Sequence, residues 1–314
     1  MGIFAPALTR ITLQRPAHHV APAEDGRIAV LSNSGIGTFL GRDLTILSGF
    51  SIPQRPSQAA LSPDGSRLAV TASDGITFYS TASFEKVHYM NDAYQCCLFG
   101  SDGLFWTSSR FTPLTAVLQA WDLSKKTRIV KVKIADPFIE STFLLFPHPL
   151  PNSVVIWAAA GQDGQMLFWA SLDGKTIHVT PFDQQDFTLP PAFSPSGKEF
   201  LVISEGQLYR FEYPNGPLLA QMDQLAEDEY FGEEICYLDD SHALLTSAKG
   251  RLFVVDVVRL KVLEEVSLVG QNPQPASAFV RLADGRFLSV HRDLNGTSDL
   301  ACDRLMVWPN PAWR

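Results

Sequence analysis

The side chains of this 314-residue chain that could carry chemistry are seven histidines, four cysteines and one dense acidic run, and their spacing limits what they can do. His18, His19, His88, His148, His178, His242 and His291 are scattered, and only His18 and His19 are neighbours. Successive residues of a strand point to opposite faces, so that pair needs a third ligand from elsewhere in the fold before it holds a metal. Cys96, Cys97, Cys236 and Cys302 form no CxxC pair and no metal-finger spacing, the pattern of reduced, mostly buried thiols. Cys96 and Cys97 should face opposite sides of one strand. There is no G-x-S-x-G, no P-loop and no HExxH, and Gly35, Gly37 and Gly41 miss the dinucleotide spacing. No cofactor, no metal and no catalytic residue is expected.

The acidic run is Asp223 to Glu234, where Asp223, Glu227, Asp228, Glu229, Glu233 and Glu234 surround Tyr230 and Phe231. Acids around an aromatic anchor suit a basic protein partner, because charge steers the encounter and the aromatic supplies buried area. A solvated loop with a short helical turn accounts for the same residues. A second feature is the long stretch His291 to Arg304, with a shorter counterpart from Ser108 to Thr115; loops of such length usually bind something or move. Asn295-Gly296-Thr297 matches a glycosylation sequon and is read as chance, since no secretion signal accompanies it.

Composition narrows the partners. With 25 Lys+Arg against 33 Asp+Glu the net charge is -8, which gives no general attraction to phosphate backbones, so nucleic acid is not expected as a partner. Pro6 and Pro16 interrupt the apolar start, which lacks a basic flank, so the expectation is a cytoplasmic protein. The uncharged stretch Ser141 to Gln162 is long enough to span a bilayer, yet Pro147, Pro149 and Pro151 at its middle favour two strands around a turn, and no membrane partner is expected. A 46% hydrophobic content supports a large buried core.

The elements that would position these residues are set by a repeat. A polar residue followed by a small one, between two short apolar runs, recurs at Asp25-Gly26, Asp64-Gly65, Asp102-Gly103, Asn152-Ser153, Ser196-Gly197, Asp240-Ser241 and Asp284-Gly285, with steps of 39, 38, 50, 44, 44 and 44 residues. That spacing is near the length of a four-stranded propeller blade. The second unit shows the grammar: Ala59 to Ser62, the turn Pro63-Asp64-Gly65, Arg67 to Ala72, the turn Ser73-Asp74-Gly75, Ile76 to Tyr79, then Glu85 to Tyr89. Pro presets the first φ of a tight turn and Gly accepts the positive φ that closes it. The predicted class is all-β, a seven-bladed β-propeller over 1–314, with blades near 17–53, 54–90, 91–135, 136–182, 183–223, 224–269 and 270–308. The last blade is one strand short, and Arg10 to Gln14 is predicted to supply it beside Leu305 to Trp308.

The third unit, Leu118-Gln119-Ala120-Trp121-Asp122-Leu123, resembles the Trp-Asp end of a WD repeat, and the chain as a whole resembles the WD-repeat and YVTN-like β-propellers. Weaker echoes are Phe168-Trp169, Val255-Asp256 and Val307-Trp308. No Gly-His dipeptide occurs, so the full His-Asp-Ser-Trp hydrogen-bond set of those repeats is not present. The resemblance implies that the loops between blades, together with those between second and third strands, form the binding face. On those loops Arg55, Asn91, Tyr94, Phe138, Phe187, Glu229, Tyr230 and Arg292 are the candidate binding residues. The function this implies is a non-catalytic scaffold for a protein partner, such as a bacterial complex subunit or a toxin-neutralising immunity protein. The alternative is an enzyme or small-ligand binder at the mouth of a central channel, and a sensor outside the cytoplasm is a third reading.

Overall fold

The computed structural model describes residues 9–13, 17–53, 55–161, 164–182, 191–204, 206–214, 216–227, 229–249, 251–266, 276–282, 284–291 and 304–309. By contacts the chain divides into two compact units, His18–Pro190 and Met1–Ala17 with Pro191–Arg314. Within them lie seven antiparallel four-stranded sheets, six of them meanders of consecutive strands.

The unit His18–Pro190 holds four of them. The first is β2 (His19–Pro22), β3 (Ile28–Leu31), β4 (Ile36–Leu40) and β5 (Ile46–Ser51); the second is β6 (Gln58–Leu61), β7 (Arg67–Ala72), β8 (Gly75–Ser80) and β9 (Lys86–Met90). The third is β10 (Tyr94–Phe99), β11 (Phe105–Thr112), β12 (Thr115–Asp122) and β13 (Thr127–Ala135); the fourth is β14 (Thr142–Pro147), β15 (Ser153–Ala159), β16 (Gln165–Asp173) and β17 (Thr176–Phe182). Middle strands such as β3 and β7 are apolar on both faces because each sheet packs against its neighbour, whereas the last strand of each sheet mixes exposed and buried positions. Phe39, Leu31, Leu68 and Tyr79 share a core between the first and second sheets. The two cysteines of β10 divide as expected: Cys97 joins the second sheet in one core, and Cys96 joins the fourth in another. Burial raises both thiols, Cys97 to about 12, so neither is a ready nucleophile.

The other unit holds β18 (Ala192–Phe193), β19 (Glu199–Ser204), β20 (Gln207–Glu212) and β21 (Leu218–Met222), then β22 (Phe231–Tyr237), β23 (His242–Ser247), β24 (Leu252–Asp256) and β25 (Lys261–Val266). Its last sheet combines β26 (Ala276–Arg281), β27 (Phe287–His291) and β28 (Arg304–Trp308) with β1 (Thr9–Thr12) from the other end of the chain. Thr9 pairs with Val307 and Thr12 with Arg304, so the strand predicted over Arg10 to Gln14 ends earlier, where its partner strand begins.

Four of the seven recurring turns share one mechanism. The backbone N–H groups of Arg27, Ser66, Leu104 and Arg286 each donate to the Asp two residues before, at 2.9–3.1 Å. Gly26, Gly65 and Gly103 then take φ of 89°, 61° and 80°, and in the fourth unit Asn152 takes 57° in their place. The same turns join neighbouring sheets: Asp102 accepts the Asn152 N–H at 2.7 Å, and Asp240 accepts that of Ser196 at 2.9 Å. The Trp-to-hydroxyl half of the WD hydrogen-bond set is also present, from Trp121 to Thr107 at 3.1 Å and from Trp308 to Ser289 at 2.9 Å.

Candidate functional site

Three places in the fold bring together groups able to bind. The first is the turn between β11 and β12 with the segment 136–141 that leads out of the same sheet. Asp136 N–H donates to Leu114 O at 2.9 Å and Glu140 N–H to Pro113 O at 2.8 Å. Arg110 donates to the carbonyls of Glu140 and Ser141 at 2.6 and 3.1 Å, while the Asp136 carboxylate accepts from the Ser141 N–H and hydroxyl at 2.7 and 2.5 Å. This frame holds Ile139 and Glu140 in the left-handed region, at φ of 64° and 59°, a costly conformation for a β-branched residue. It turns Ile139 outward, 60% exposed, beside Phe111 and Leu114 at 58% each. The Lys133 ammonium lies 4.2 Å from the centre of the Phe111 ring.

The second place is the acidic loop between β21 and β22. Glu229 is buried, its Oε2 3.2 Å from both Lys249 and Arg251. Burial raises its carboxyl, but hydrogen bonds from Ser247 and Lys249 and the Lys249 and Arg251 charges carry it below the usual range. The loop is fastened further by the Leu225 N–H to Glu229 O at 2.8 Å and the Ala248 N–H to Tyr230 O at 2.9 Å. Tyr230 projects from this base, 57% exposed.

The third place is a cleft between the second and third sheets, at the end of the sheets opposite the β11–β12 turn. A cavity of about 380 Å³ is lined by Arg67, Phe78, Val87, His88, Leu123 and Lys126. It continues through Ser66, Arg67 and Leu123 into a groove of about 570 Å³ that reaches Asp64, Asp102 and Asp122. His88 lies below its usual pKa, chiefly through burial and then through the Lys126 and Arg67 charges. Asp64 is held low by the Ser62 hydroxyl and Ser66, and Asp122 by Lys125 and Ser124.

The residues singled out from sequence fall unevenly on these places. Arg55 and Asn91 are exposed, Tyr94 is buried with its hydroxyl pushed up to about 12 by burial, and Phe138 is half-buried over Gly164, where a Cβ would meet its ring at 2.6 Å. Among the described residues no hydrogen bond or ion pair joins these four. Glu229 forms the base of the acidic loop and Tyr230 its tip. Phe187 and Arg292 lie outside the described residues. Phe111 and Leu114, within the Ser108 to Thr115 stretch singled out from sequence, and Ile139 carry the exposed apolar area, while their candidate neighbour Phe138 is half-buried. The cleft was missed entirely, since its residues lie on the strands β7, β8 and β9 and on the turn after β12, away from the expected binding face.

No family model matches this chain. It is similar to WD repeat-containing protein 90 of Homo sapiens, 25% identical over 179 aligned residues that cover 48% of this chain. The chain spans about a tenth of that relative's length, the match covering 10% of it. Among solved structures it is similar to the β-propeller domain of Cps50 (Swd1) from Myceliophteria thermophila, with a TM-score of 0.65 and 10% identity, over 96% of this chain and 98% of that one. With seven four-stranded antiparallel sheets, the chain has the fold of the WD-repeat β-propeller superfamily, with seven blades.

Proposed function

We propose that this protein is a non-catalytic scaffold that docks a protein partner through the loops between its blades. Propellers of the WD-repeat type generally act as protein-interaction scaffolds, and the observation that carries the reading here is the Phe111, Leu114 and Ile139 cluster. Three large apolar side chains more than half exposed, on a backbone held by six loop hydrogen bonds, form a preorganised anchor. Exposed apolar groups fixed in this way cost little ordering on binding and release water when covered. Tyr230 on its acidic loop provides a second anchor of the same kind, suited to a basic partner.

The test is co-purification of partners by the wild-type protein, by a triple variant with Phe111→Ser, Leu114→Ser and Ile139→Ser, and by Tyr230→Ser. All four side chains are exposed, so the variants should keep the wild-type Tm to within a few degrees. A partner that binds directly as a purified protein and loses about tenfold or more in affinity with either variant supports the reading. Unchanged affinity with both would remove it.

A further inference from the structure

Cations are concentrated on one element of this acidic chain. Between Asp122 and Asp136 no acid occurs, while Lys125, Lys126, Arg128, Lys131 and Lys133 place five of the chain's 25 Lys and Arg within nine residues, on β13 and the turn that leads into it. Cross-strand pairing sorts them by face. Arg128 stands opposite Trp121, Lys131 opposite Gln119 and Lys133 opposite Val117, residues that alternate along β12, so these three cations share one face. Val130, Val132 and Ile134 turn the other way and pack in the core shared with the fourth sheet.

Two of the three are laid down on aromatic rings. The Arg128 guanidinium lies 5.7 Å from the centre of the Trp121 ring and donates to Gln119 Oε1 at 3.2 Å, and the Lys133 ammonium lies 4.2 Å from the centre of the Phe111 ring. Lys131 stands exposed between them, and among the described residues none of the three enters an ion pair, with the exposed Asp92 and Glu140 or with any other acid. The acids that bound the row in sequence are engaged: Asp122 pairs with Lys125 at 2.8 Å, and Asp136 accepts from the Ser141 N–H and hydroxyl. One lysine guards the edge of β9, so three cations on one face of β13, two of them fixed in place, exceed what edge protection requires. The row spans about 16 Å and runs into the exposed Phe111, Leu114 and Ile139 through the contact of Lys133 with Phe111.

We propose that β13 and the Phe111 cluster together receive an extended acidic segment of a protein partner, its carboxylates on Arg128, Lys131 and Lys133 and an apolar side chain at one end against Phe111 and Leu114. This rests on the reading of that cluster as a docking anchor and adds the chemistry of what it docks. Acids on alternate residues of an extended segment stand about 7 Å apart, the spacing of Lys131 and Lys133 along β13. Each cation held on a ring keeps N–H donors free, so charge-assisted hydrogen bonds form at little ordering cost. Nucleic acid suits the same surface poorly: phosphates gain nothing from Leu114 and Ile139, and a strand longer than the row meets a chain of net charge -8. The segment lies along the face of β13 and leaves its edge unpaired.

The test is amide chemical-shift titration of the full chain with acetylated, amidated decapeptides that carry Glu at alternate positions followed, or in a second set preceded, by Phe and Leu. The expected result is submillimolar binding, with shifts centred on residues 111–115 and 128–133. Lys131→Glu with Lys133→Glu should weaken it about tenfold or more, and Lys131→Gln with Lys133→Gln by less, both at a Tm within a few degrees of wild type. Peptides with Gln in place of Glu should bind about tenfold more weakly, and so should peptides with Ser in place of Phe and Leu. The proposal is overturned by absence of shifts on these residues at millimolar peptide, by equal binding of the Gln peptides, by equal binding to the folded double variants, or by a short oligouridine binding as tightly as the best peptide. Scaffold docking is read separately: a purified partner lost by the Phe111→Ser, Leu114→Ser and Ile139→Ser variant but held by Lys131→Glu with Lys133→Glu would keep the anchor and remove the acidic segment.

Discussion

His148 shows how one buried side chain sets a pH dependence. It is 5% exposed, its Nδ1 accepts the Leu150 N–H at 3.1 Å, and burial takes its pKa from 6.5 to about 4. Above 6.5 the imidazole is neutral in the folded and unfolded chains alike, and it contributes nothing to pH dependence. As pH falls from 6.5 toward 4 the unfolded chain takes up a proton that the folded chain refuses, and stability drops by about 3 kcal/mol in all. Urea denaturation at neutral pH and near the lower limit should therefore show a smaller acid loss for His148→Gln than for wild type; equal losses would assign the acid limb to other groups. The same scale explains what a sequence hides. Phe138 and Ile139 are neighbours, yet the first is half-buried over Gly164 and the second, at φ 64°, is turned out to solvent. Tyr94 and Glu229 fall in loop segments as the sequence reads, but one opens β10 within a core and the other is covered by Lys249 and Arg251.

At the level of strands, β1 covers the edge of β28, the strand that carries the buried Leu305, Met306, Val307 and Trp308. Ile11 and Leu13 are 8% and 4% exposed, so the segment contributes packing as well as a ladder of hydrogen bonds. Ile11→Ala should cost about 2–4 kcal/mol, read as a lowered urea midpoint. Deletion of residues 1–15 uncovers an apolar edge, and the outcome expected is an insoluble protein or a markedly lower Tm; a soluble protein with unchanged melting would show that β1 is dispensable. The outer strand β13 manages its own edge differently, with Lys131 and Lys133 exposed along it, and charges of that kind oppose strand addition by another chain. These cations belong to edge protection as much as to the rim of the Phe111 cluster.

For the molecule as a whole, the seven sheets were legible because their turns are local: in four of the seven units an Asp bonds the N–H two residues on and the following Gly takes the positive φ, so the repeat is written in adjacent residues. The cleft between the second and third blades was not legible, since strand residues of one sheet and the Leu123 and Lys126 turn of the next line it only once the two sheets pack together. Net charge acts at this scale too. A charge of -8 attracts a basic partner at long range whichever loop it finally grips, and the exposed Asp223 and Glu227 concentrate that field beside Tyr230. If the acidic loop receives such a partner, its association rate constant should fall about tenfold between ~50 mM and ~500 mM salt while the dissociation rate changes little, because steering acts on the encounter and the aromatic contact on the lifetime. Asp223→Asn with Glu227→Gln should flatten the salt dependence of association, and Tyr230→Ser should instead speed dissociation. Stopped-flow measurements on the three proteins separate the two effects, and a salt-independent association rate would exclude the acidic loop as the docking point of that partner.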